Sequence, residues 1–149
     1  MGASAWCRGP EGLIFLYLIL AGVLQGSPLS GSLFVLATNP ILCLLQHVTA
    51  HLKEQVCLRA CADDLGAALA ELRHLELFLP PLVLTKAATG LGLKPSKCII
   101  VPLWKWSPTL ATAIREWLRR TLAAWSHFKV EEIGRYLGFE MGPAAVRDQ

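Results

Sequence analysis

Asp63 and Asp64 stand side by side in the middle of a fifteen-residue stretch, Val56 to Ala70, whose only other charge is Arg59. Adjacent carboxylates repel each other, and burying either without a partner is costly. The fold must therefore bring them to a surface turn, use one to cap a helix, or supply a cation. The local pattern leaves two arrangements open. In one, two short strands meet at the aspartates; in the other, a strand is followed by a helix that Asp64 caps and that carries Leu65, Leu69 and Leu72. A divalent cation would relieve the repulsion, because magnesium favours oxygen ligands and bridges carboxylates to substrate phosphates in phosphoryl-transfer sites.

The segments on either side alternate between strand and helix character. Leu13 to Leu24 is apolar, and Ile14, Phe15, Tyr17, Ile19 and Val23 favour a buried strand. Residues 26–32 concentrate glycine, serine and proline, a loop composition that offers Ser30 or Ser32 as a helix N-cap. Phe34, Ala37, Ile41, Leu44, Leu45, Val48 and Leu52 then recur at steps of three and four, which predicts a helix to about Lys53 with a kink or pause at Pro40. A second helical stretch surrounds Glu71 to Leu79, breaks at Pro80-Pro81, and resumes through Thr85 to Thr89 until Gly90 and Gly92 end it.

Cys98 to Val101 reads as a core strand closed by Pro102 and by Trp104 and Trp106. Ser107 as N-cap and Pro108 at the first position open the clearest helix, with Leu110, Ile114, Trp117, Leu118, Leu122 and Trp125 as its apolar stripe. Arg135 to Phe139 suits a strand, and residues 143–149 form a tail.

A chain of 149 residues fits one ordinary domain, which commonly runs to about 100 to 200 residues. At 54% hydrophobic and 17% charged it is not a disordered polypeptide, and it leans toward a sheet covered by apolar helices. The twelve residues from Leu13 to Leu24 fall short of the roughly 18 to 20 that a spanning helix needs. As a secretion signal they have a weak charged flank in Arg8 and Glu11 and a loose cleavage match at Gln25 to Pro28. Five cysteines at irregular spacing do not form a disulfide framework and suit a reducing, intracellular compartment. A net charge of +3 is too mild to announce a nucleic-acid binder.

Read in order, four short strings belong together: Gly22-Val23-Leu24-Gln25-Gly26-Ser27-Pro28-Leu29-Ser30, Ala62-Asp63-Asp64, Gly92-Leu93-Lys94-Pro95-Ser96-Lys97, and Arg135-Tyr136-Leu137-Gly138-Phe139. Their order and spacing resemble motifs B to E in the closing half of a reverse transcriptase palm, and the style of the first string is similar to non-LTR, LINE-like elements. The resemblance spans Gly22 to Phe139. It implies that Gln25, Gly26, Ser27 and Pro28 lie beside template and incoming nucleotide, where glycine permits close backbone approach.

The resemblance further implies that Asp63 and Asp64 sit at a β-hairpin turn and hold catalytic Mg2+ or Mn2+, Asp63 as principal ligand. This selects the two-strand arrangement. Lys97 becomes a candidate to assist the pyrophosphate leaving group, and Tyr136, Leu137, Gly138 and Phe139 a primer-grip hairpin that positions the growing 3′ end. The implied partners are an RNA template, a DNA primer and a deoxynucleoside triphosphate. The reaction is RNA-directed DNA synthesis, in which the primer 3′ hydroxyl attacks the α-phosphate with two metal ions assisting.

Three departures qualify the match, one of them Gly31, which stands in the loop where many relatives have proline. The family draws a third metal-binding carboxylate from an upstream strand, motif A, but the only acid before Gln25 is Glu11. Motif A and the fingers are therefore expected to lie before Met1, and the isolated chain is not expected to polymerise. Cys61 takes the place of the aromatic residue that usually precedes Ala-Asp-Asp.

Other readings rest on other residues. His47, His51, Cys57 and Cys61 are all possible zinc ligands, although their spacing is not that of a standard finger. Arg115, Arg119, Arg120, Lys105 and Lys129 offer a basic surface on the thumb side or simply a solvated face. A non-catalytic retroelement relic or interaction protein, whose apolar segments pair with another chain, is the main alternative; a small membrane-associated protein is a further one. The expected architecture is α+β. Residues 1–142 form a partial palm, a small antiparallel sheet containing the Asp63-Asp64 hairpin and backed by helices beginning near Ser32 and Pro108. Residues 107–128 point toward the thumb.

Overall fold

The computed structural model describes residues 3–19, 28–62 and 64–145, with backbone alone at residues 3, 5 and 17–19. Its compact units are Met1–Thr38 and Asn39–Gln149.

In the first unit, β1 (Ala3–Gly9) and β2 (Gly12–Ile19) pair antiparallel around Pro10-Glu11, with Gly9 opposite Gly12 and a register shift at Ala5/Trp6. The expected strand is present from Gly12 onward, and its remaining residues, 20–24, lie outside the described residues. Its partner β1 is not foreshadowed by any alternation in ASAWCRG. Trp6 and Phe15 meet edge to face across the ladder, with ring centroids 5.2 Å apart, a favoured aromatic geometry. Trp6, Leu13, Ile14, Phe15 and Leu16 are all exposed.

The helix α1 (Ser30–Thr49) starts in this unit and continues through Pro40 as one helix, where the sequence predicts a kink or pause. Proline removes a single N–H bond, and in a helix of 20 residues the bonds on either side keep it going. Leu33, Val35 and Leu36 on its first half are exposed. A 3₁₀ turn, Ala50–Gln55, follows and breaks helical geometry at Lys53, whose φ is 48°. Ser30–Gln55 is the one stretch among the described helices long and apolar enough to cross a membrane by length and composition. The run from Leu13, on which the membrane reading rested, is a strand as far as it is described.

The second unit is built on α3 (Pro108–Thr121), whose stripe develops as its spacing requires. Ser107 Oγ accepts from the Leu110 N–H at 3.1 Å, which satisfies one of the free donors of the first turn. Ile114, Leu118 and Leu122 are buried with Leu45 of α1, Phe78, Trp125, Phe128 and Val130, and Trp117 and Leu110 pack against that cluster. Trp125 and Phe128 stack at 5.3 Å. β3 (Val56–Cys61) and β4 (Asp64–Leu69) form an antiparallel hairpin, and Val56, Leu58 and Leu69 pack on the same core.

After β4 comes a 3₁₀ turn, Leu72–Phe78, leading directly into α2 (Leu79–Thr89). Pro80-Pro81 thus opens a helix where an interruption was expected, because proline costs nothing in the first turn, whose N–H groups have no partner inside the helix. Gly90 ends α2 with φ 75°, a left-handed C-cap that favours glycine.

β5 (Ile99–Ile100) pairs with β6 (Lys129–Val130), and this ladder is parallel. β7 (Gly134–Tyr136) and β8 (Phe139–Met141) make a third hairpin in the chain. The architecture is α+β, but the expected single antiparallel sheet is replaced among the described residues by four two-stranded ladders, three of them antiparallel. The strands are too short, two or three residues in β5 to β8, to extend one sheet across the unit. Ile100 and Val130 tie the β5–β6 ladder to the core cluster.

Candidate functional site

The β3–β4 hairpin has two unlike faces because side chains alternate along a strand. Its register pairs Val56 with Leu69, Leu58 with Ala67 and Ala60 with Leu65, which sets one face. Cys57 with Ala68, Arg59 with Gly66, and Cys61 with Asp64 set the other. The first face is anchored in the core at its base through Val56, Leu58 and Leu69. Toward the turn Ala60 and Leu65 emerge, so the tip of the hairpin stands clear of the core.

Asp64 heads β4 directly after the turn and is exposed. Its carboxylate has no ion-pair or hydrogen-bond partner among the described residues. The hairpin rather than the helix cap is therefore the fate of this aspartate. Ala62, in the turn, has φ 50°, a conformation that costs an L-residue roughly 1 to 2 kcal/mol. Asp63 lies outside the described residues, as do Gln25, Gly26 and Ser27. Pro28 is an exposed turn residue ahead of α1.

Tyr136, 77 positions from Arg59, closes onto the outer face of this hairpin. Its hydroxyl donates to the Arg59 carbonyl at 3.4 Å. Its ring covers Gly66, so that a Cβ at that position would lie 3.1 Å from Cζ and 3.2 Å from Cε2. Tyr136 and Asp64 are thus brought to one face, on strand positions two residues apart. Leu137 and Gly138, with φ 51° and 88°, make the two-residue turn between β7 and β8, where both central residues need positive φ. Phe139 is 73% exposed. The residues taken alone read as a single strand; the structure has a hairpin here, the form that the motif E resemblance implies.

Lys97 ends a 3₁₀ turn, Pro95–Lys97, and is exposed. No hydrogen bond or ion pair joins it to Asp64. The neighbouring Cys98 thiol donates to the Lys94 carbonyl at 3.4 Å, and burial pushes its pKa up.

The basic helix is largely committed elsewhere. Arg115 Nη2 donates to the Val130 carbonyl at 2.9 Å, tying α3 to β6, and Glu116 pairs with both Arg119 and Arg120. His47, His51, Cys57 and Cys61 are exposed and do not converge, and among the described residues no group of three or more His, Cys, Asp or Glu gathers to hold a metal.

Arg59 and Gly66 were not singled out by their types as site residues. The available signal was positional: Arg59 is the only other charge beside the aspartates, and Gly66 follows Asp64 at the spacing that shares its face. No family model, curated protein or solved structure matches this chain.

Proposed function

We propose that this chain is the motif B to E portion of a palm of the non-LTR reverse transcriptase type, an RNA-directed DNA polymerase. The observation that carries this reading is Asp64 at the exposed tip of a hairpin whose opposite face builds the core. A rigid base with a carboxylate-bearing tip is what a metal-assisted phosphoryl-transfer site requires. The aromatic ring of Tyr136 on the same face adds a surface against which a primer end can rest.

The donor set fits a hard cation: Asp64 offers unpartnered carboxylate oxygens beside those that the sequence adds at Asp63. Mg2+ or Mn2+ bound there supplies electrostatic stabilisation of charge developing on phosphate oxygens. The chain's own residues supply the rest. By the resemblance, Asp63 and Asp64 would hold the cation, Gln25 to Pro28 would contact the nucleotide, Tyr136 to Phe139 would position the primer 3′ end, and Lys97 would neutralise the departing pyrophosphate. Before Gln25 the sequence contains one acid, Glu11, so two of the three carboxylates are present and the chain alone does not turn over.

Template-primed nucleotide incorporation with magnesium tests the reading. The chain alone stays at background, and the same chain joined to an upstream segment carrying the motif A aspartate and fingers incorporates nucleotide. Asp63→Ala abolishes that activity. A folded, joined protein that remains inert, or one indifferent to Asp63→Ala, rejects the polymerase assignment.

A second reading, a non-catalytic interaction protein of retroelement origin, draws on the first unit. Trp6, Leu13, Ile14, Phe15 and Leu16 expose apolar side chains along one hairpin, an arrangement that favours a partner over solvent.

A further inference from the structure

Arg59 is the one cation on the outer face of the β3–β4 hairpin, the face that it shares with Cys57, Cys61, Asp64, Gly66 and Ala68. Its side chain is exposed, and only one guanidinium bond is made, from Nη1 to the Leu58 carbonyl at 2.8 Å. A guanidinium carries five N–H donors, so most of them remain available. Among the other described arginines of this unit, Arg73 pairs with Glu71, Arg119 and Arg120 pair with Glu116, and Arg115 is bonded across to Val130, while the exposed Arg135 in β7 is unpaired like Arg59 but lies off this hairpin. Arg59 has no carboxylate partner among the described residues.

Its surroundings favour an anion of a particular kind. Arg59 lies opposite Gly66, and the Tyr136 ring covers that glycine while its hydroxyl bonds the Arg59 carbonyl. Two strand positions toward the turn is Asp64, about 7 Å along the hairpin at the usual rise per residue. That is about two nucleotide rises of 3.4 Å each. A cation and an aromatic surface at one level of the hairpin, with a carboxylate two positions nearer the turn on the same face, suit a sugar-phosphate chain better than an isolated anion.

We infer that Arg59 is a phosphate-binding residue, contacting a backbone phosphate of the nucleic-acid strand whose end lies at Asp64. The inference rests on the polymerase reading and adds a contact to it. Arginine is suited to the role because its planar fork matches two phosphate oxygens at once.

The test is the salt dependence of binding between this chain and a fluorescein-labelled DNA duplex with a recessed 3′ end, followed by anisotropy. One phosphate contact contributes about 0.9 to the slope of log affinity against log salt, which corresponds to roughly 8-fold in affinity over each tenfold change in salt. Arg59→Gln is expected to lower the slope by that amount, and Arg59→Lys, which keeps the charge, to retain most of it. Both variants should keep the wild-type circular dichroism spectrum, since the side chain is exposed. Wild-type binding with an unchanged slope in Arg59→Gln overturns the Arg59 contact and leaves the polymerase reading standing. An equal drop in Arg119→Gln marks general surface charge and overturns it as well. If the wild-type chain binds no duplex even at low salt, the polymerase reading fails, and the Arg59 contact fails with it.

Discussion

Gly66 leaves room for one aromatic ring. With Tyr136 Cζ 3.1 Å from where a Cβ would stand, Gly66→Ala must displace a ring whose hydroxyl is already bonded to the Arg59 carbonyl. The expected cost is roughly 1 kcal/mol, the lower end of overpacking penalties, after the smaller gain from restricting the unfolded chain. In a Tyr136→Ala background the same change should be neutral or stabilising, since the obstruction is gone. Urea unfolding of the four variants measures this non-additivity. Additive effects would mean that Tyr136 does not seat on Gly66. The residues alone left Asp64 between a hairpin turn and a helix cap, because both accept a carboxylate in an apolar stretch, and the resemblance selected the hairpin that the structure has. Gly66 was not legible, because its partner lies 70 residues away in the chain.

Helix α3 shows how far an element can be read from its own residues. Ser107, Pro108 and the stripe from Leu110 to Leu122 define a start, a first turn and a buried face without reference to anything distant. Ser107→Ala should therefore cost about 1 kcal/mol, while Ser107→Asp, which retains an acceptor for the Leu110 N–H, should cost little. Denaturation midpoints of the two variants decide it, and equal losses would assign the effect to something other than the cap. Elements held by tertiary contacts were harder to read. β5 falls within Cys98 to Val101, which reads as a strand, but its partner β6 is two residues long, too short for periodicity to register, and their parallel pairing joins segments 30 residues apart. Arg115 reads as a surface cation from its place outside the stripe, yet it bonds the Val130 carbonyl. Pro80-Pro81 reads as a break, since proline interrupts a helix interior, but it stands in the first turn of α2. Leu137-Gly138 is a two-residue turn with neither asparagine nor aspartate to announce it.

At the scale of the molecule, one hydrophobic cluster organises the second unit, and the candidate site is the part of a hairpin that projects from it. Leu45, Phe78, Leu118 and Val130 come from four different segments, so the position of the β3–β4 base is fixed by the whole unit rather than by the hairpin itself. An isolated two-stranded hairpin is marginal in water, and here the anchoring of Val56, Leu58 and Leu69 is what presents Asp64 at a defined place. We propose that Asp64, with Asp63 beside it in the sequence, seats a divalent cation. The most direct measurement is paramagnetic broadening of amide NMR signals by Mn2+ at millimolar concentration. Signals from Ala62 to Gly66 should broaden first and most, and Asp63→Asn with Asp64→Asn should remove the effect. Mn2+ that leaves those signals sharp, or that broadens them equally in the double variant, would contradict the claim.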